Sequence, residues 1–389
     1  MAKLIDITGK SLSGEWGTDD ETGDGIPVLR TTNFTNEGVV NYNDVVTRTI
    51  TKKNIADKFL RKGDIIIEKS GGSDKFPVGR VIYFDGEEKT YLFNNFTGLL
   101  RVKNQDEWYP KYIFYSLYAN YKRGGTRAFE NKTTGLHNLK TDDYVSRYEV
   151  AEIDKTEQIL ICEKLNKLYE IIKLRRQELQ LLDELIKARF VEMFGDPVSN
   201  SYALPEATLP ELGEFGRGVS KHRPRNDPKL LGGKYPLIQT GDVANARLYV
   251  TSYSSTYSKL GLEQSKMWDK GTLCITIAAN IAKTAILGFD ACFPDSVVGF
   301  NANEKTSNIF IHYWFSFFQA ILEAQAPESA QKNINLKILS ELKVIVPEKD
   351  KQDAFVKFIN QVNKSKVAIQ AALDKSQLLF DSLMQKYFG

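Results

Sequence analysis

The residues of this chain best suited to chemistry are basic and amide side chains in loop-forming runs. Gly216-Arg217-Gly218-Val219-Ser220-Lys221-His222-Arg223-Pro224-Arg225-Asn226-Asp227 holds four Lys or Arg and one acid, and its Gly and Pro residues oppose regular structure. Such a loop can bring guanidinium groups to phosphates, or bidentately to guanine in a major groove. Its candidate contacts are Lys221, His222, Arg223 and Arg225. Tyr121-Lys122-Arg123-Gly124-Gly125-Thr126-Arg127 offers the same chemistry through Lys122, Arg123 and Arg127. A charge run by itself reads as a solvated surface loop. The weight towards DNA comes from finding a basic, flexible element in each half of a repeated chain. Arg30-Thr31-Thr32-Asn33 and Gln239-Thr240-Gly241-Asp242 each follow a proline and an apolar pair. Arg, Asn and Gln form paired hydrogen bonds with base edges, so Arg30, Thr31, Thr32, Asn33, Gln239 and Thr240 join the candidates. The competing reading is a turn that closes a strand. Lys69-Ser70-Gly71-Gly72-Ser73 can cradle a phosphate through backbone amides, with Lys69 and Ser70 as candidates, or can be a plain glycine turn.

Several activities lack their residues. No GxxxxGK[ST] loop is present, so an ATP-driven motor is not indicated. Gly216-Arg217-Gly218 opens no GxGxxG element, and the Asn-Pro-Pro-aromatic element of an adenine methyltransferase is missing. Glu87-Glu88-Lys89 reads as a charged hairpin tip between Tyr83 and Tyr91, not as a nuclease carboxylate pattern. His137, His222 and His312 have no nucleophile spacing, and Cys162, Cys274 and Cys292 form no CxxC pair, which argues against structural zinc. Cys162 reads as a small packing residue. The chain is expected to catalyse nothing on its own. Net charge is only +3, so the distribution of charge carries the nucleic-acid argument. No apolar run approaches membrane-spanning length and no signal-peptide core is seen, so the expectation is a cytoplasmic protein without membrane contact.

The elements that must position these residues repeat. Asp154 to Phe194 and Glu348 to Phe388 are 41-residue stretches free of Gly and Pro, each followed by Gly. In the first, the seams run Ile161, Leu168, Arg175, Leu182, Arg189 and Leu165, Ile172, Leu179, Ile186, Met193. In the second they run Phe355, Val362, Ile369, Ser376, Leu383 and Ile359, Lys366, Leu373, Phe380, Tyr387. Apolar residues alternating by three and four are the coiled-coil signature. Three weaker echoes accompany the helices: Pro27 with Pro236, Gly63 with Gly271, and His137-Asn138-Leu139-Lys140 with Ile334-Asn335-Leu336-Lys337. Strands are expected at Ile65 to Ile67, Val78 to Phe84, Leu99 to Val102, Leu273 to Ile277 and Ala285 to Phe289, and short helices at Pro110 to Tyr121 and Phe310 to Ala324. The fold class is α+β: two similar mixed α/β globules separated by two long antiparallel coiled-coil helices, in a pseudo-two-fold internal repeat. The expected boundaries are 1–153, 154–196, 197–347 and 348–389.

At this point the motifs resemble a known family. Leu174-Arg175-Arg176-Gln177-Glu178-Leu179, with Leu182 through Phe194-Gly195-Asp196-Pro197, resembles the central conserved helix of specificity subunits of Type I restriction–modification systems. Ile26 to Asn33 and Tyr235 to Asp242 are similar to motifs near the start of that family's two target-recognition domains, and Asn138-Leu139 and Asn335-Leu336 to its entries into each helix. Lys366 and Ser376 at seam positions depart from the pattern. The resemblance implies a subunit that binds double-stranded DNA at a two-part asymmetric site and docks two modification (methyltransferase) subunits. Restriction subunits, an ATP-dependent translocase and nuclease, would join through them. Those partners would carry S-adenosylmethionine, ATP and Mg; this chain would hold no cofactor and no metal. Two other readings stay open: a stand-alone two-lobed DNA-binding regulator, and a coiled-coil scaffold whose globules bind protein.

Antiparallel helices related by a two-fold axis place Leu165 near Gln377 and Ile186 near Val356, and the polar seam residues are expected to fix register. The alternative for these polar residues is a packed stem with its head in water. A stiff helix pair acts as a ruler between two reading lobes. Inserting one heptad into both helices is expected to lengthen the unread gap of the DNA site or to abolish binding. Methylation-site sequencing checks this, and an unchanged gap with intact binding overturns it.

Overall fold

The structure, a computed structural model, describes residues 1–133, 136–325, 334 and 336–389. The chain divides into two compact units, Met1–Arg176 with Ala371–Gly389, and Gln177–Gln370. The two long helices, Lys155–Phe194 and Lys349–Phe388, are each 40 residues long, and each contributes to both units. Each starts one residue after the expected position. Asp154 stays outside the first helix because its carboxylate accepts the Thr156 amide at 2.8 Å, as an N-terminal cap does.

In the first unit one antiparallel sheet runs Leu12–Ser13, Thr97–Leu100, Ile65–Glu68, Val81–Tyr83. A second runs Thr18–Asp19, Val46–Thr49, Ile26–Leu29, Leu92–Phe93, with its last pair parallel. Ile65, Ile66 and Ile67 are all fully buried, which explains an unbroken apolar run: this strand is covered on both faces. Leu29, Phe34, Leu60, Ile66, Phe84 and Phe93 form the core beside them. The helix Pro110–Lys122 packs on Val81–Tyr83. A three-stranded sheet of Ser70–Gly72, Leu136–Leu139 and Glu130–Thr133 completes the unit.

The second unit repeats this order. Gly213–Arg217, Val297–Ala302, Leu273–Thr276, Thr284–Leu287 and Tyr249–Val250 form one sheet, and Ser255–Tyr257, Leu231–Leu237, Ala291–Cys292 and Met267–Trp268 the other. The strand bearing Pro236 pairs in parallel with Ala291–Cys292, as the strand bearing Pro27 pairs with Leu92–Phe93. Gly63 and Gly271 both take positive φ, +92° and +95°, just before the central buried strand of their unit, a conformation that favours glycine. Asn308–Gln325 answers Pro110–Lys122.

Some expectations shift. The run from Val78 yields a strand only at Val81–Tyr83, because the Val78 amide donates to the Glu130 carboxylate at 2.9 Å and not to a neighbouring strand. The strand expected from Leu99 lies at Thr97–Leu100. Glu87-Glu88-Lys89 is no hairpin tip, since the strands on either side of it belong to different sheets. The third echo also dissolves. His137 to Leu139 lie in a strand, whereas Leu336-Lys337 open the helix Leu336–Glu341, and Asn335 lies outside the described residues. The helix Thr141–Arg147 stands in that place in the first unit.

The seams are borne out by burial. Ile161, Leu165, Ile172, Leu179 and Ile186 are buried on the first helix, as are Phe355, Ile359, Val362, Lys366, Leu373, Ser376 and Phe380 on the second. Within the first unit Arg175 bonds to the Ala372 carbonyl and the Ser376 hydroxyl, and Arg176 reaches Gln377 at 3.5 Å. Further along, Tyr115 touches Asn166, Phe380 and Phe388. Within the second, Asp183 meets Lys366, Arg189 lies 5.9 Å from the Phe358 ring, and Phe190 and Phe194 pack on Phe355. As one segment advances the other recedes, so the pairing is antiparallel in each unit. Its register differs from expectation. Gln377 faces Arg176, not Leu165, and Ile186 lies between Asp183, which meets Lys366, and Arg189, which meets Phe358, offset from the expected Val356. Matching helix midpoints misjudged the register because polar pairs and a ring cluster set it, not equal length. Arg175 and Lys366 find specific partners. The Arg189 side chain is 41% exposed and pairs with Glu192 at 2.8 Å, with its Nε buried, close to the packed-stem arrangement.

Lys366 is buried while Asp183 is largely exposed. Asp183→Asn strips a buried ammonium of its counter-charge and is expected to cost about 1–3 kcal/mol. Lys366→Met, which removes the charge and keeps the volume, is expected to be near neutral or stabilising. Urea unfolding midpoints of the two variants check the order.

Candidate nucleic-acid interface

The two proline-led strands each deliver a helical turn. Ile26–Leu29 runs into Thr31–Asn33, and Leu231–Leu237 into Thr240–Asn245. Both turns close in the same way. The Arg30 amide donates to Asn33 Oδ1 at 3.0 Å, and the Gln239 amide donates to Asp242 Oδ2 at 2.7 Å. The closing residue is therefore occupied. Asn33 is 1% exposed and also donates to the Asn41 and Asp44 carbonyls. This corrects its candidacy as a base contact: every polar atom of its side chain serves the turn, the outcome the turn reading gave. Thr32 and Gln239 are exposed, Thr31 and Thr240 half-buried. Arg30 pairs with Asp44 at 2.8 Å, a largely exposed carboxylate that a phosphate or base edge can displace.

A residue the sequence reading missed holds the first turn. Arg80 donates to the Phe34 carbonyl at 2.9 Å and the Thr31 carbonyl at 2.9 Å, and its guanidinium lies 3.4 Å from the buried Glu68. Burial pushes the Glu68 carboxyl above its usual range, with Arg80 pulling it back. Lys69 follows on the chain. Burial lowers its ammonium below the usual value, Asp142 opposes this, and Nζ donates to Ser13 Oγ at 2.9 Å. Ser70 is half-buried at the start of Ser70–Gly72. An Arg inside an apolar strand-like run was the one available signal for Arg80.

The basic run of the first half is not the flexible loop expected. Pro110–Lys122 is helical through Lys122, and Gly125–Phe129 forms a short 3-10 turn. Arg123 bonds to the Phe388 carbonyl near the end of the second long helix, where a cation suits the helix dipole. Arg127 donates to the carbonyls of Asp74 at 3.2 Å and Lys75 at 3.4 Å. Lys122 lines a cavity of about 190 Å³ with Glu37, Lys111, Tyr118, Arg176 and Phe380, against the long helices. Local chain chemistry made this run look free; packing on the long helix and on the Asp74–Lys75 backbone engaged it.

The second half keeps its loop open. Lys221, His222, Arg223 and Arg225 are all exposed. Arg223 and Arg225 converge on Asp295, Arg223 at 3.5 Å, and His222 Nε2 lies 3.1 Å from Asp227. The loop is anchored at its start, where the Lys221 and His222 amides donate to Gln264 at 3.4 and 3.0 Å. Asp295 gathers two guanidinium groups on an accessible face, an arrangement suited to a row of phosphates.

The chain is similar to several known proteins. Residues 206–376 match the family model described as the Type I restriction modification DNA specificity domain. Over 327 residues the chain is 20% identical to the MjaX type I restriction enzyme specificity subunit of Methanocaldococcus jannaschii, covering 81% of this chain and 75% of that protein. The fold is similar to the crystal structure of a Type I restriction–modification S subunit from M. genitalium, with a TM-score of 0.59, 17% identity and coverage of 100% and 95%. It is likewise similar to a chain from a study of complex assembly and conformational transition of the type I R-M system, with a TM-score of 0.57, 14% identity and coverage of 100% and 96%. The resemblance read from the motifs is thus borne out in the fold, which is that of the Type I restriction–modification S subunits to which the chain is similar.

Asn33→Ala leaves the Arg30 amide and two carbonyls without their partner. It is expected to lower stability by about 1–3 kcal/mol, while Gln239→Ala, at an exposed position, changes it by less than about 0.5 kcal/mol. Thermal or urea unfolding of the two variants checks the contrast.

Proposed function

We propose that this chain is the DNA sequence-recognition subunit of a Type I restriction–modification complex, reading a bipartite asymmetric duplex site with one unit per half-site. The observation that carries this reading is the same strand-and-turn element in both units, its closure shared and its outer residue different, half-buried Arg30 in one and exposed Gln239 in the other. Arg30, Thr31 and Thr32 in the first unit, and Gln239 and Thr240 in the second, meet base edges. Lys69 and Ser70 in the first, and Lys221, His222, Arg223 and Arg225 in the second, meet phosphates or guanine. Two modification subunits dock on the long helices, and restriction subunits join through them. Ile171 and Leu174 in the first unit, and Leu181 and Leu185 in the second, support this docking, being exposed at helical spacing on Lys155–Phe194. Solvated apolar side chains so spaced are read as a docking face for another helix.

The chain serves as a recognition subunit without chemistry of its own. S-adenosylmethionine, ATP and Mg act in the partners, and the complex works in the cytoplasm. Among the described residues no helix is long and apolar enough to cross a membrane. A stand-alone DNA-binding regulator is not favoured, since it gives the exposed helical face no task.

Two measurements test the reading. Co-purification with a modification subunit is expected for the wild type and is lost in the Leu181→Asp, Leu185→Asp double variant. DNA affinity of the assembled complex is expected to fall by about 10³–10⁵ between 50 and 200 mM salt, and changing Lys221, Arg223 and Arg225 together to Ala flattens that slope. Salt-independent binding or an unchanged slope removes the basic loop from the interface.

A further inference from the structure

Between the strand Ser70–Gly72 and the buried Val78 the chain makes a short turn with Phe76 at its corner, 56% exposed. The turn is fastened throughout. The Ser73 amide donates to the Phe76 carbonyl at 2.7 Å, and the Phe76 amide donates to Ser73 Oγ at 3.1 Å. Arg127 grips the carbonyls of Asp74 and Lys75 at 3.2 and 3.4 Å. The Val78 amide donates to Glu130 Oε1 at 2.9 Å; the other Glu130 oxygen lies 3.0 Å from His137 Nδ1, and His137 Nε2 lies 3.6 Å from Asp74. A Cβ on Gly72 would stand 2.5 Å from the Val78 nitrogen, so the two legs of the turn close tightly. Lys75 Nζ lies 5.3 Å from the Phe76 ring.

Burying a Phe side chain is strongly favourable, and this fold leaves much of that gain unused while holding the ring out on a pinned turn. We propose that Phe76 is an apolar wedge that enters the duplex bound by the first unit and unstacks one base step, with Lys75 on a flanking phosphate; this rests on the DNA-recognition reading above. Apolar side chains inserted between base steps kink DNA, at the cost of the stacking they break. A wedge already fixed in place loses little freedom on binding, so more of its contact energy meets that cost. Arg127 and Glu130 are positioning residues: they hold the turn and reach DNA only through Phe76.

The test uses the complex assembled with its modification subunits, on duplexes carrying its methylated sequence with 2-aminopurine placed at successive steps. Apart from the methylated adenine, one step is expected to brighten several-fold in the wild type. The rise disappears in Phe76→Ser and persists in Phe76→Leu, while both variants melt at the wild-type temperature. A rise that survives Phe76→Ser, or no brightened step despite salt-sensitive binding, overturns the wedge and leaves the recognition reading standing. Loss of modification-subunit binding in Phe76→Ser also overturns it, by showing that the ring serves a protein contact. Absence of salt-sensitive binding by the wild type sinks both.

Discussion

Burial of a continuous apolar stripe on each long helix is the constraint on which the remaining structure depends. A 40-residue helix in isolation gains little from propensity alone, and its stability comes from what covers its apolar face. Here each helix is covered twice, once in each unit. In the first, Tyr112 and Tyr115 of Pro110–Lys122 meet Phe388. In the second, Phe190, Phe194, Phe310 and Phe355 interlock around the other ends of the same helices. Within each unit these aromatic contacts attach the globule to its stretch of the long helices.

The polar seam residues add specificity to that burial. An apolar heptad seam tolerates slippage by a heptad, because the same pattern recurs. Arg175 on Ser376 and the Ala372 carbonyl, and Lys366 on Asp183, are satisfied in one register only. Each sits in a different unit, so register is fixed at two points along the helices.

The proline-led turns divide their side chains between closing the backbone and facing away from it. In both units the proline-led strand ends in a turn whose inner residue, Asn33 or Asp242, is committed to the neighbouring backbone. The outward residue, Arg30 or Gln239, carries no such duty in closing the turn through its side chain. The inner residue keeps the backbone in place, so the outer position can differ between the two units, as Arg30 and Gln239 do.

The sequence by itself determined the elements whose signal is local and periodic. The long helices, their seams, the buried Ile65 to Ile67 strand, the helices at Pro110 and Asn308 and the duplication were legible because periodic burial leaves its mark along the chain. The strand-and-turn motifs were legible too, since a proline, an apolar pair and a short polar residue describe a turn on their own. Only the tertiary structure decided which polar side chains face outward. Asn33 and Lys221 look equally available in a list of residues, yet one is closed in by Asn41 and Asp44 and the other stands in solvent. Arg123 and Arg127 were taken up by partners distant in sequence, Phe388 and the Asp74–Lys75 backbone, and the register of the helices was set by side chains about two hundred residues apart. The physical reason is one of range: periodicity records whether a side chain is buried, while hydrogen bonding and charge pairing depend on neighbours that only the folded chain brings near.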